Sequence, residues 1–231
     1  MQAIDTGRLV DGWERGQSQH PLHRALTLLQ CWAPEQTIDA LAALSIGERD
    51  RRLIRLRQRL FGSRFDAVAQ CPRCGEKLEL EFGAEQLPQD AGAESAFEVQ
   101  VDGRGMAVRL PTSADLLEVA HVPAARRIPA LLERCAGAGL TESEAEAVEN
   151  KMAEMDPASR IELELICPAC EHRWRDLFDI ASYFWTELSD LVVRVLRETH
   201  LLARAYGWRE ADIFALSPRR RQVYLDLVLG A

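Results

Sequence analysis

The chain has 231 residues, 47% hydrophobic and 28% charged, and its 28 basic and 36 acidic side chains give a formal net charge of −8. That composition suits a folded protein with a real core. The acid excess argues against a generic DNA-coating or anionic-membrane role, which needs clustered cations. No uncharged apolar run reaches the ~18–20 residues of a membrane helix. The opening MQAIDTGRLVDG has neither the basic start nor the apolar stretch of a signal peptide. A cytoplasmic location is therefore expected, with no membrane partner.

In chain order, the first clear element is a helix from His20 to Trp32, with Leu22, Ala25, Leu26 and Leu29 on one face and Pro34 beyond its end. Ser45-Ile-Gly-Glu48 reads as a capping box. It opens a helix through Leu60 that carries Leu53, Leu56 and Leu60 on one stripe and stops at Gly62. Six arginines lie on this helix, at 49, 51, 52, 55, 57 and 59, and their expected role is a solvated face with i,i+4 pairing. Lys77-Leu-Glu-Leu-Glu-Phe82 alternates as a strand does, and the segment 86–92 reads as a loop. Phe97–Val101 and Met106–Leu110 flank Asp102-Gly-Arg-Gly and predict a β-hairpin. Helices are expected from Ser113 to Ala120, from Ala124 to Cys135, and from the capping box at Thr141 to Met155. Asp156-Pro157 then breaks the chain before a strand at Ile161–Ile166. Another strand is expected at Arg173–Phe178, and the apolar periodicity of Ile180–Tyr206 predicts a long helix ended by Gly207. A short helix follows Trp208, and Ser217-Pro218 opens a last one to Leu229.

The strongest chemical signal is a pair of matched cysteine motifs. Of six cysteines, four form Cys71-Pro-Arg-Cys74-Gly and Cys167-Pro-Ala-Cys170, and Cys31 and Cys135 fall in helical patterns as small apolar residues. A Cys-x-x-Cys turn points two thiolates at one ion, and two such knuckles complete a closed tetrahedral zinc site. Two disulfides conflict with a reducing cytosol. A thioredoxin-like redox pair belongs at a helix start rather than before a strand. A catalytic zinc would keep an open position. Structural Zn2+ held by Cys71, Cys74, Cys167 and Cys170 is thus the expected cofactor, with His172 a nearby non-ligand.

Strands running to and from paired knuckles are the layout of a zinc ribbon, but 92 residues separate Cys74 from Cys167, far beyond the usual ~15–20. The expected fold class is therefore α+β and mostly helical: a split zinc ribbon with an inserted subdomain and a C-terminal helical region. The divisions are an N-terminal helical segment at 1–66, ribbon halves at 67–83 and 160–179, an insert of hairpin plus helices at 84–159, and C-terminal helices at 180–231. Residues 75–166 hold 8 basic and 19 acidic side chains, so the insert is acidic. Its plain reading is a solvated surface; its sharper one is a face for a basic partner.

No P-loop, GxGxxG, HExxH or GxSxG occurs, and His20, His23, His121, His172 and His200 form no convincing catalytic or metal spacing. The ordered set HPLHRALTLL, IGERDRRLIRLRQRLFG, CPRCGEKLELEF, RLPTSADLL, CPACEHRWRDLFDIASYFW and AYGWREADIFALSPRRRQVYLDLV resembles a protein encoded in gene clusters of contractile phage tails and related injection systems. It is similar, more distantly, to the T4-type phage baseplate hub assembly protein. The resemblance implies a non-enzymatic baseplate or hub component, or an assembly factor, with other tail proteins as partners and no small-molecule substrate. It also implies that Cys71, Cys74, Cys167 and Cys170 are the knuckle residues. Trp208, Arg219, Arg220 and Tyr224 are of the types that dominate interfaces. The alternative function is a zinc-ribbon nucleic-acid binder or transcription regulator, motivated by the arginines at 49–59 and 219–221.

Overall fold

The structure is a computed structural model that describes residues 5–88, 95–101 and 103–230. In chain order it contains α1 (Thr6–Gly16), α2 (Pro21–Trp32), α3 (Ile38–Ala42), α4 (Ile46–Phe61), β1 (Arg64–Gln70), β2 (Lys77–Gly83), β3 (Ala96–Val101) and β4 (Arg104–Arg109). There follow α5 (Ser113–Val119), α6 (Ala124–Ala136), α7 (Glu142–Met155), β5 (Glu162–Ile166), β6 (Arg173–Leu177), α8 (Ile180–Tyr206), α9 (Glu210–Phe214) and α10 (Pro218–Leu229). The fold is α+β, and among the described residues its strands form three separate antiparallel hairpins, β1–β2, β3–β4 and β5–β6. Asp102 of the expected hairpin turn and residues 89–92 of the expected loop lie outside the described residues. The chain divides into two units, one of Met1–Glu35 with Ala181–Ala231 and one of Gln36–Ile180.

The first unit is helical. Helix α1 is rich in glycine, a poor helix former, yet it forms because its glycines let partners approach. A side chain at Gly16 would collide with the indole of Trp185 on α8. The same indole lies beneath the Arg24 guanidinium of α2, 5.0 Å from the ring centre, while Arg24 Nε donates to the Gly16 carbonyl at 2.9 Å. Trp13 Nε1 donates to Ser189 Oγ at 3.1 Å. At the C-terminal end Leu202, Ile213 and Leu225 form a buried cluster, flanked by Trp208 and Tyr224. Trp208 stacks on Tyr206 and meets Tyr224 edge-on. Ser217 caps α10 by accepting the Arg220 amide, as Ser217-Pro218 predicts.

The second unit has its own cores. The inner face of β3–β4, with Val99, Met106 and Val108, packs on Leu132 of α6 and Val148 of α7. Thr141 and Glu144 complete the predicted capping box of α7. At Ser45 only half of the expected box forms. Ser45 Oγ accepts the Glu48 amide at 3.2 Å, but the Glu48 carboxylate instead accepts from Arg52 at 2.7 Å and Arg51 at 3.3 Å.

Three of the six α4 arginines depart from the expected solvated face, while Arg55 and Arg59 are exposed and Arg52 makes an i,i+4 pair with Glu48. Arg49, Arg51 and Arg57 are buried, because acids and carbonyls distant in sequence come to meet them. Arg51 Nη1 reaches Asp156 Oδ1 at 3.0 Å, and the two side chains are only 2% and 1% exposed. The second oxygen of Asp156 accepts the Gly47 amide at 2.9 Å, so a carboxylate from beyond α7 caps the start of α4. Arg49 donates to Asp50 at 2.7 Å and to Ser113 Oγ at 3.2 Å.

A second ionic tie joins β4, α5 and α6. Asp115, at the start of α5, accepts from Arg109 of β4 at 2.8 Å through Oδ1, from Arg134 of α6 at 2.9 Å, and from Thr112 Oγ1 at 2.8 Å. Burial would raise its pKa, but these donors outweigh it and hold the carboxyl well below the usual carboxylate range. A carboxyl depressed in the folded state contributes stability above its unfolded value of about 3.9, and loses it as pH falls toward the folded value. Asp115→Asn should therefore cost about 3 kcal/mol or more at pH 7, since it leaves two cations short of their partner. Denaturant titrations from about pH 5 to pH 2 should also show a shallower acid loss in the variant than in the parent. An equal slope in both would remove Asp115 as the source.

Candidate metal centre

Each cysteine knuckle is the tip of a β-hairpin. In the first, β1 leads in through Gln70 and β2 leaves at Lys77; in the second, β5 leads in through Ile166 and β6 leaves at Arg173. The two turns share one backbone pattern. The Gly75 amide donates to the Cys71 carbonyl and the Cys71 amide to the Glu76 carbonyl, at 2.9 and 2.8 Å. The Glu171 amide donates to the Cys167 carbonyl and the Cys167 amide to the His172 carbonyl, both at 2.9 Å. The residue after the second cysteine is left-handed in both, with φ of 76° at Gly75 and 56° at Glu171. Glycine takes that conformation freely, whereas glutamate does so at a cost.

The pattern places four sulfurs together across the 92 intervening residues. Cys71, Cys74, Cys167 and Cys170 have ligand atoms all within 4.8 Å of one another. Cys71 Sγ lies 3.7 Å from Cys170 Sγ, and Cys74 Sγ lies 3.6 Å from Cys167 Sγ. A disulfide needs about 2.05 Å, and all four are free thiols. A tetrahedral ion with metal–sulfur bonds of ~2.3 Å has sulfur–sulfur edges of ~3.75 Å, which these distances match. The four cysteines can thus hold one metal ion, and an S4 donor set favours a soft tetrahedral ion such as zinc or iron. The first cysteine of each knuckle is buried, Cys74 is exposed and Cys170 is half-buried.

Four thiols this close cannot all ionise without a cation among them. Burial raises the Cys71 thiol, but the amides of Cys74 and Arg73 and the thiols of Cys74 and Cys167 bring it down to about 7. The Glu76 amide lowers Cys74, yet the Cys170 thiol, desolvation and the other two thiols push it up to about 12. An ion would reverse that opposition by favouring all four thiolates, so its binding releases protons.

The hairpins are matched well beyond the knuckles. Leu78 and Trp174 each follow the second cysteine of their knuckle by four residues, and Phe82 and Phe178 by eight. Leu78 packs with Cys71 and Cys167, flanked by Leu80 and Trp174. At the other end of the hairpins Phe65 stacks on Phe82 at 5.2 Å, and Phe178 meets both edge-on at 5.9 and 5.3 Å. The Arg57 guanidinium lies 4.0 Å over the Phe65 ring and donates to the Gly62 carbonyl at 2.7 Å. The sulfurs therefore join the hairpin tips, and an aromatic triad joins their bases. The triad is absent from the sequence-based expectation, although the equal offset of Phe82 and Phe178 from their knuckles is a signal for it.

The other sequence candidates fall outside this cluster. His172 takes part through its backbone carbonyl, and its ring stacks on Trp174 with centroids 6.0 Å apart. Cys31 lies beside Arg15, with Sγ 3.8 Å from Nη2, and burial raises its thiol pKa. Cys135 is buried and pushed up to about 11. His20 caps α2 through Nδ1, which accepts the Leu22 amide at 3.3 Å. Comparison of the chain with protein-family profiles, with curated proteins and with solved structures finds no match.

Cys71→Ser and Cys167→Ser should each abolish stoichiometric metal binding and lower thermal stability, because one ligand is lost from either hairpin. Cys31→Ser should leave about one metal ion per chain. Elemental analysis of the purified proteins reads this directly, and a full metal content in Cys71→Ser would break the shared site.

Proposed function

We propose that the protein is a non-enzymatic baseplate or hub component, or an assembly factor of chaperone type, of a contractile phage tail or contractile injection system. In this reading a structural zinc stabilises it, and it acts through contacts with other tail proteins. The observation that carries the proposal is the four-sulfur cluster. Four thiolates fill a tetrahedral shell and leave no position for a substrate, so the ion serves as a clamp. We read the two hairpins as halves of one zinc ribbon, split by the insert at 84–159. Their identical knuckle hydrogen bonds and the matched offsets of Leu78/Trp174 and Phe82/Phe178 support that reading. Zinc suits such a clamp because it carries no redox chemistry and imposes no geometry of its own. The resemblance of the ordered motifs supplies the contractile-tail setting.

The nucleic-acid alternative loses part of its motivation, since four of the nine arginines behind it are buried. Arg49, Arg51, Arg57 and Arg221 are buried among protein groups, which withdraws them from phosphate contact. Exposed arginines such as Arg55, Arg219 and Arg220 remain, but a net charge of −8 on the chain works against binding a long polyanion.

Affinity purification of the tagged full-length chain, from cells that also express a complete contractile-tail gene cluster, should recover baseplate or hub proteins. Metal analysis of the same material should find zinc. Recovery of no tail protein would sink the assignment, and iron in place of zinc would overturn the choice of ion. Retardation of DNA or RNA at low salt would move the reading to the alternative.

A further inference from the structure

Helix α8 is apolar on two sides. One side is fully accounted for: Phe184, Leu188, Val192, Val195 and Leu202 are buried. The other carries Val193 and Leu196, half-buried, with Arg197 and His200 exposed and, at its edge, Leu201, which also packs against the cluster of Leu202, Ile213 and Leu225. Val193, Leu196, Arg197, His200 and Leu201 line an open, almost wholly apolar trough of about 460 Å³. Their spacing of three and four residues makes a continuous stripe along the helix. A helix with a second apolar stripe has one face still to be covered. Helix α10 of the same unit also presents Val223 and Leu227, which are 53% and 66% exposed. They continue the i, i+3, i+7 line that begins at Arg220.

Exposed arginines are frequent on α8 and at the start of α10. Arg194, Arg197 and Arg204 of α8 and Arg219 and Arg220 of α10 are exposed. Among the described residues Arg197, Arg204, Arg219 and Arg220 have no acidic partner, and Arg194 has only a 4.0 Å approach to Glu198. Glu198 itself is committed to the buried Arg221, at 2.7 Å. Among the described carboxylates of α8 itself, the exposed one is Asp190, which precedes the stripe at its N-terminal end. The Arg197–Arg204 half of the trough is therefore apolar at its floor and cationic at its rim.

We infer that the Val193–Arg204 face of α8 is a docking groove for an amphipathic helix of a partner protein, one that carries acidic residues beside its apolar stripe. Leucine-like side chains at i, i+3/i+4 and i+7 enter the trough over Leu196. Flanking carboxylates pair with Arg197 and Arg204 and set the direction of the incoming helix, with its acids away from Asp190. The inference depends only on the protein-docking part of the proposed function and not on the contractile-tail setting.

The probe is a fluorescein-labelled 18-residue peptide with leucines at helical spacing flanked by glutamates. A matched peptide with lysines in place of the glutamates is its control. Fluorescence anisotropy with the metal-loaded full-length chain should show binding of the glutamate peptide, weakening as salt rises, and at least tenfold weaker binding of the lysine peptide. Leu196→Asp should weaken the glutamate peptide ~10-fold or more. Arg197→Glu, at an exposed position that folding does not need, should shift preference toward the lysine peptide. Circular dichroism and metal content unchanged from the parent confirm that both variants fold. Failure of the glutamate peptide to bind, or equal binding of both peptides, overturns the inference. So does indifference to Arg197→Glu. A concentration-dependent dimer that Leu196→Asp dissociates also overturns it, since a second copy is then the occupant. A pull-down without tail proteins beside a positive peptide result would reject the tail setting and keep the groove.

Discussion

Four sulfurs placed so that they can hold one cation are the constraint on which the second unit depends. Closing the 92-residue span between Cys74 and Cys167 costs the unfolded chain about 4 kcal/mol of loop entropy. The proposed zinc can supply more than that, since structural sites of this kind contribute on the order of 10 kcal/mol in small peptides. The protein around the sulfurs is thin: Cys71, Leu78 and Cys167 are the buried members of that cluster, with Leu80, Cys170 and Trp174 at its edge. An ion among the sulfurs would add a fixed point to so small a core. With the ion in place the tips are fixed, and the Phe65, Phe82 and Phe178 rings fix the bases.

Buried charge does for the insert what the sulfurs do for the hairpins. Asp156 joins Arg51 and the start of α4 to the end of α7, and Asp115 joins β4, α5 and α6. Such pairs add little net stability compared with apolar packing, because both partners must be desolvated. They do discriminate strongly: any other arrangement of the insert would leave a buried guanidinium or carboxylate alone. Residues 84–159 are thereby tied to α4 through Asp156, close to the start of β5.

The features legible in the sequence are those written in neighbouring residues. Both knuckles, the Thr141 capping box, the span of α8 and the Ser217-Pro218 start of α10 were all readable, because each is a local pattern of turn chemistry, capping or period. The unreadable features are settled by partners far away. Helix α1 was missed because its glycines lower helix propensity, and only the contacts of Gly12 with Cys31 and Gly16 with Trp185 show their purpose. Strand β1 was missed because Phe65 and Ala69 are its buried residues while Val68 points outward, 69% exposed. An apolar residue at the outward position hides the strand alternation that Phe65, Ala67 and Ala69 otherwise set. The α4 arginines looked like a solvated face because Asp156, about a hundred residues on, gave no local sign that it would bury Arg51.

The placement of rigidity bears on what the chain can do for a partner. A side chain offered to another protein contributes most when it is held in place beforehand, because less freedom is lost on binding. Helix α8 is locked on one face by Phe184, Leu188, Val192, Val195 and Leu202, and Trp185 is pinned between Gly16 and Arg24. Its outer stripe is therefore presented without an ordering cost of its own. The pairing of Glu198 with Arg221 has a similar effect on charge. It commits a carboxylate of α8 mainly to Arg221 and leaves Arg194 only a 4.0 Å approach to it, so Arg197 and Arg204 stay without an acidic partner among the described residues on a protein that is acidic overall. A partner steered only by net charge would be repelled, whereas one that reads the local surface would be attracted. Selectivity for an acidic helix thus follows from where one buried ion pair has been placed.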